Sequence, residues 1–155
     1  MKRKALLVLG LAVALTCTNV VSVYAAEGEN YSIETYSNNN NKVVATGSEQ
    51  TDITGDVSVT GNDETAIKTS DNAKVSVKGN VSADGNNTYG VRSTDNSSVS
   101  VQGNVSASGE SAEGVASRGN SSVKVSGDVT AEGGITPSGV DAVKGSSVTV
   151  DGTVK

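Results

Sequence analysis

Side chains able to do chemistry are few in this chain. The 155 residues include no His, Trp or Phe and a single cysteine, Cys17. Without His, and with one thiol, neither a zinc or soft-metal cluster nor a Ser-His-Asp triad can be assembled. Cys17 has Ala14 three residues before it and Thr16 directly before it, a poor match to the aliphatic and small residues that precede a lipidated cysteine, so it reads as an ordinary apolar-segment residue. The best oxygen donors are Asp71, Asn72, Asp95 and Asn96. Calcium requires several such oxygens to converge, and the chain has no EF-hand loop or glycine-rich calcium nonapeptide. The G-x-G-x-x-G and P-loop patterns are absent as well. The expectation is therefore no metal, no cofactor, no catalytic residue and no enzymatic activity, with these turn acids and amides solvated.

The spacing of those acids and amides belongs to something larger. Residues 74–97 read KVSVKGNVSADGNNTYGVRSTDNS, and residues 98–121 repeat them as SVSVQGNVSASGESAEGVASRGNS. A third copy starts at Ser122, a degenerate one at Thr51, and the truncated SVTVDGTVK closes the chain. Gly55, Gly79, Gly103 and Gly127 are 24 residues apart, and Gly152 follows after 25. A fixed period of this length marks a repeat architecture in which each copy is one structural unit.

Within each copy the pattern has period two. Val75 and Val77 alternate with Ser76 and Lys78, Val81 and Ala83 flank Ser82, and Val91 is followed by Arg92. This predicts half-buried strands, punctuated by turns at Gly79-Asn80, residues 84–87 and Asp95-Asn96. Superposing the copies aligns like with like: Val75/Val99/Val123/Val148, Val77/Val101/Val125/Val150, Val81/Val105/Val129/Val154, Ala83/Ala107/Ala131 and Ile67/Val91/Val115/Val140. Only parallel, in-register strands, ~4.8 Å apart, put residues one repeat apart side by side. The expected fold is all-β: a parallel β-helix (solenoid) of about four 24-residue coils, right-handed, as coils of this size usually are.

Stacking also predicts polar ladders in the turns. Asp56, Asn80, Asn104 and Asp128 form one candidate, and Asn72, Asn96 and Asn120 a second, of the kind that stacked amides favour. Two like-charge neighbours stand out, Asp71 with Asp95 and Lys68 with Arg92, and their closeness in sequence suggests compensation across the turn. The outward columns Ser58/Ser82/Ser106/Thr130 and Ser76/Ser100/Lys124/Thr149 are too irregular for an ice-binding threonine array.

Ahead of the repeats, residues 1–25 have the form of a signal peptide. Lys2, Arg3 and Lys4 are the basic region, an apolar run follows to Thr16, and Val23-Tyr24-Ala25 is a small-x-small cleavage site. The run is broken by Thr16, Cys17, Thr18 and Asn19, short of the roughly 18 apolar residues of a membrane span. Residues 26–50 differ from the repeats. Strands are expected at residues 31–36 and 42–46 with a loop at Asn38 to Asn41, and the segment serves as an N-terminal cap or a linker; residues 51–155 are the β-helix repeats. Three of the twelve cations lie in the leader, leaving nine against seventeen carboxylates and a net charge of −8 for the exported chain. That balance disfavours nucleic acid and anionic membrane as partners.

The repeat S-V-x-V-x-G-[ND]-V-[ST]-A-x-G followed by G-V resembles the passenger repeats of bacterial surface-exposed β-helix proteins, among them autotransporter adhesins and adhesin-like proteins of Gram-positive bacteria. The resemblance covers residues 51–155. It implies a β-helical architecture and an exported, secreted or surface location, and it carries over no functional residues. The expected role is a non-catalytic structural or adhesive module whose Ser/Thr/Asn-rich faces meet an extracellular glycan or protein. Two alternatives stay open: a truncated polysaccharide-active β-helix, and self-association through the open strand edge at the C-terminal SVTVDGTVK. Because the sequence stops within a coil at Lys155, both a short secreted protein and a piece of a longer one fit.

Overall fold

A computed structural model describes residues 22–25, 31–36, 40–48 and 50–155. Residues 1–21, most of the expected signal peptide, lie outside the described residues. Three strands precede the first complete coil: β1 (Ser22–Ala25), β2 (Tyr31–Tyr36) and β3 (Asn40–Thr46). The first coil is β4 (Gln50–Thr54), β5 (Val57–Thr60) and β6 (Thr65–Ser70). The second is β7 (Lys74–Val77), β8 (Val81–Asp84) and β9 (Tyr89–Ser93). The third is β10 (Ser98–Val101), β11 (Val105–Ser108) and β12 (Glu113–Arg118). The fourth is β13 (Ser122–Val125), β14 (Val129–Glu132) and β15 (Ser138–Val143), and β16 (Ser147–Val150) opens a fifth.

Corresponding strands of successive coils pair in parallel, which makes three sheets. The first runs β1-β4-β7-β10-β13-β16, the second β5-β8-β11-β14 and the third β2-β3-β6-β9-β12-β15. Among the described residues there is no helix. The register is the one that the repeat dictates. Val75 pairs with Val99, Val99 with Val123 and Val123 with Val148. The columns at Val77, Val81, Ala83 and Ile67 stack in the same way. The chain is thus a parallel β-solenoid of about four coils.

Those columns form the core. Val77, Val101 and Val125 are wholly buried, as are Ile67, Val91 and Val115. A coil alone buries only a handful of small side chains, too little to offset the backbone entropy of ordering some two dozen residues at ~1–2 kcal/mol each. Stability therefore comes from stacking, which supplies both the inter-coil hydrogen bonds and the second wall of every side-chain layer. Burial falls away along the last coil, where Val140, Val148 and Val150 are only partly covered.

Close approach explains the glycine period. A Cβ placed on Gly103 would stand 2.5 Å from the carbonyl oxygen of Gly79 and 2.6 Å from Asn80 Oδ1. Only a residue without a side chain lets neighbouring coils meet there.

The first polar ladder forms as the sequence predicts. Asp56 Oδ1 accepts the N–H of Asn80 (2.7 Å), Asn80 Oδ1 that of Asn104 (2.9 Å), and Asn104 Oδ1 that of Asp128 (2.8 Å). The Asn72/Asn96/Asn120 stack is different. All three residues have positive φ, near 60–69°, and the stack is held by backbone hydrogen bonds, Asn72 N–H to the Asp95 carbonyl and Asn96 N–H to the Gly119 carbonyl. With Asp71 and Asp95 also at positive φ, and Ala73 and Ser97 N–H donating back to the carbonyls of Ser70 and Thr94, these are tight turns with two left-handed central residues. Asn is used here for its backbone tolerance, not for its amide. A ladder missed by sequence reading lies at the other turn, where Asn62 Oδ1 accepts from Asn86 N–H and Asn86 Oδ1 from Glu110 N–H.

At the N-terminal side, β2 and β3 form an antiparallel hairpin whose inner strand pairs in parallel with β6. β1 pairs antiparallel with β4. Asn40 and Asn41 belong to β3 and not to a loop. The reason is visible at Asn41: its Oδ1 accepts the Ser58 N–H (2.7 Å) and its Nδ2 donates to the Asp56 carbonyl (3.0 Å), so one side chain satisfies the edge of β5, which is the last strand of the second sheet among the described residues.

Candidate functional site

The outer faces of the three sheets carry the side chains available to a partner. On the first sheet, register places Lys74, Ser98 and Ser122 in one outward column and Ser76, Ser100 and Lys124 in the next. The serines are small and the lysines long, so the strip between Lys74 and Lys124 is a shallow, open groove of about 410 Å³. It offers hydroxyls at the ~4.8 Å strand spacing, with a cation at either end. The one ion pair here, Lys124 with Asp151 at 3.3 Å, joins two half-exposed side chains and is worth little.

The second sheet has a comparable hollow of about 400 Å³, bordered by Asn80, Asn104, Ser106, Asp128, Thr130 and Glu132. Three of its acceptors are already engaged in the turn ladder: Asn80, Asn104 and Asp128 Oδ1 accept the backbone N–H of Asn104, Asp128 and Thr153. That leaves less to offer a ligand than the first sheet does.

The third sheet holds the densest charge cluster. Its outward column is Lys68, Arg92, Ala116 and Asp141. Ala116 is wholly buried, whereas Lys68 in the same column is exposed and Arg92 and Asp141 are half-buried. Arg118 Nη2 reaches Asp141 Oδ2 at 2.9 Å and Glu113 Oε2 at 3.9 Å. The guanidinium carbon of Arg92 sits 5.1 Å from the centroid of the Tyr89 ring, a cation–π contact. Burial pushes the Glu113 carboxyl above its ordinary pKa; Arg118, and more weakly Arg92 and a Tyr89 hydrogen bond, pull the other way, and Asp141 adds to the rise. The Arg118 guanidinium is raised by its hydrogen bond to Asp141 and stays charged.

Glu113 and Asp141 lie in different columns, but Arg118 gathers them. The expected compensation of Lys68 and Arg92 by Asp71 and Asp95 does not form: among the described residues neither cation has an ion pair, since the acids lie in the turn while the cations stand on the sheet face. Asp71 instead accepts the Ser70 hydroxyl at 3.1 Å.

Of the calcium candidates, Asp71, Asn72, Asp95 and Asn96 are exposed turn residues. Among the described residues no three His, Cys, Asp or Glu side chains converge as metal ligands would, and no helix is long and apolar enough to cross a membrane. No family model, curated protein or solved structure matches this chain.

Proposed function

We propose that the protein is a non-catalytic, exported β-solenoid, secreted or held at the cell surface, that serves as a structural spacer and adhesive module. The observation that carries this reading is the groove of the first sheet, where the repeat sets Ser76, Ser98, Ser100 and Ser122 in a regular hydroxyl lattice between Lys74 and Lys124. Such a surface suits weak, repeated contacts with a glycan or an extended protein, and its small side chains cost little entropy to order. The resemblance of the repeat to surface-exposed β-helix proteins and the signal-like leader support the location. Cleavage after Ala25 would also remove β1 and leave β4 as the edge of the first sheet.

Two measurements test the reading. The mass and location of the native product come first: a chain beginning at Ala26, outside the cytoplasm, is expected, and an intracellular product retaining residues 1–25 would refute export. Glycan and protein arrays probed with wild type and Ser100→Trp come second. Filling the groove should abolish wild-type binding, and undiminished binding would remove the groove from the account.

The approach of Glu113 and Asp141 to one guanidinium favours a second reading, a polysaccharide-active β-helix. It requires the release of new sugar ends from an acidic or neutral polysaccharide, lost in Glu113→Gln.

A further inference from the structure

The third sheet carries a feature that the adhesive reading of the first sheet does not use. Lys68 and Arg92 are register partners on β6 and β9. Strand spacing sets their backbones ~4.8 Å apart, and like charges directly opposite each other oppose folding. Elsewhere on this sheet cations are matched by acids: Lys42 with Glu64 at 3.5 Å, and Arg118 with Asp141. Among the described residues, Lys68 and Arg92 have no ion pair or hydrogen bond through their side chains.

Arg92 is nevertheless held in place, because the Tyr89 ring supports its guanidinium. A stacked guanidinium keeps its planar fork of N–H donors for bidentate contact with a carboxylate, and a neighbouring ammonium adds a point charge. Glu113, beside Tyr89 in register, lies within electrostatic reach of Arg92. It brings a hydrogen-bond acceptor and, when ionised, a negative charge next to the cations. That combination fits a ligand with one carboxylate and adjacent hydroxyls, and works against a sulfate or phosphate of higher charge density.

We propose that Lys68, Tyr89, Arg92 and Glu113 form a binding site for a uronic acid residue of an acidic glycan, with Arg92 and Lys68 clamping the carboxylate and Glu113 accepting from a ring hydroxyl. The site lies on a different sheet from the hydroxyl groove and stands or falls independently of it.

The test is calorimetric titration of the purified protein with a galacturonate trimer and with its methyl ester, which keeps the sugar and removes the charge. The acid should bind at least about tenfold more tightly than the ester, the loss of one good charged contact. Arg92→Gln and Lys68→Gln should each weaken the acid, Arg92→Lys should fall between wild type and Arg92→Gln, and Lys78→Gln, at an exposed turn position after β7 and outside both sites, should change nothing. Equal affinity for acid and ester would overturn the proposal, as would no detectable binding or binding unchanged in Arg92→Gln. A glutamate-rich peptide bound as tightly as the trimer would overturn the assignment to a sugar. Should Arg92→Gln fail to fold, Lys68→Gln and the acid–ester comparison still decide.

Discussion

The amide oxygen of Asn80 accepts the backbone N–H of Asn104, one coil further along, at 2.9 Å. The same atom type at the same place in the repeat does the same work at Asn104 and Asp128, where Oδ1 receives Asp128 N–H and Thr153 N–H. A side chain thus continues the inter-coil bonding through a turn where the backbone pairs less regularly. At the opposite corner, Asn96 makes its contribution through a left-handed backbone, with its N–H on the Gly119 carbonyl. Two asparagines that look alike in sequence have different physical jobs.

Substitution should separate those jobs. Asn80→Gly removes the acceptor and should cost about 0.5–1.5 kcal/mol. Asn96→Gly keeps the left-handed geometry and should be close to neutral, whereas Asn96→Ala should cost about 1–2 kcal/mol. Denaturant midpoints of the three variants check this; equal effects of glycine at both positions would contradict it.

The glycine stack gives a second contrast. Gly103→Ala puts a methyl group 2.5 Å from the Gly79 carbonyl oxygen and must push two coils apart. A loss of about 1–3 kcal/mol is expected, the usual cost of overpacking. Gly134→Ala, whose new methyl would find its nearest neighbour, Glu110 Cγ, at 3.6 Å, should be within about 0.5 kcal/mol of wild type. Thermal unfolding of the pair is sufficient.

Glu113 predicts a pH dependence. Its carboxyl is raised chiefly by burial, so between its unfolded and folded pKa values the native state holds more proton than the unfolded state. The contribution to stability is therefore full below the unfolded pKa and is lost as pH rises through the folded value. Glu113→Gln removes the titration, so the melting temperature of the variant relative to wild type should improve on going from pH 4 to pH 7. A difference that is the same at both pH values would show that Glu113 does not carry the effect.

Lys68→Gln relieves a like-charge pair in which neither cation has an ion pair among the described residues. Stability should stay level or rise by up to about 0.5 kcal/mol at low salt, with the gain shrinking in salt. A clear loss of stability would mean that Lys68 has a stabilising role absent from the structure.

Much of this molecule is legible because its repeat is a register. Once Val75, Val99 and Val123 are aligned, the parallel pairing of β7, β10 and β13 follows, and with it the inward columns and the Asp56–Asp128 ladder. Much of what escapes sequence reading has one cause: side-chain reach across columns. Following the column of Lys68 and Arg92 to its end gives Ala116 and Asp141, a change of sign that marks the charge cluster. Yet nothing in that column shows that Arg118, two residues along β12, bends back to Asp141. Asn41 was equally hidden, since an asparagine run carries the composition of a loop until its edge-sealing bonds to Ser58 and Asp56 are seen. The left-handed turn at Asp95-Asn96 is legible only as a turn, because sequence spacing does not distinguish amide stacking from backbone handedness.

The most direct test of the account is the distance between spin labels at Asp52→Cys and Thr149→Cys, in protein starting at Ala26 and so free of Cys17. Both positions lie in one outward column of the first sheet, linked through Ser76, Ser100 and Lys124. Parallel in-register stacking predicts a backbone separation of about 19 Å, four strand spacings of ~4.8 Å, with a narrow distribution. A broad distribution centred well beyond 30 Å would contradict the solenoid and every site built on it.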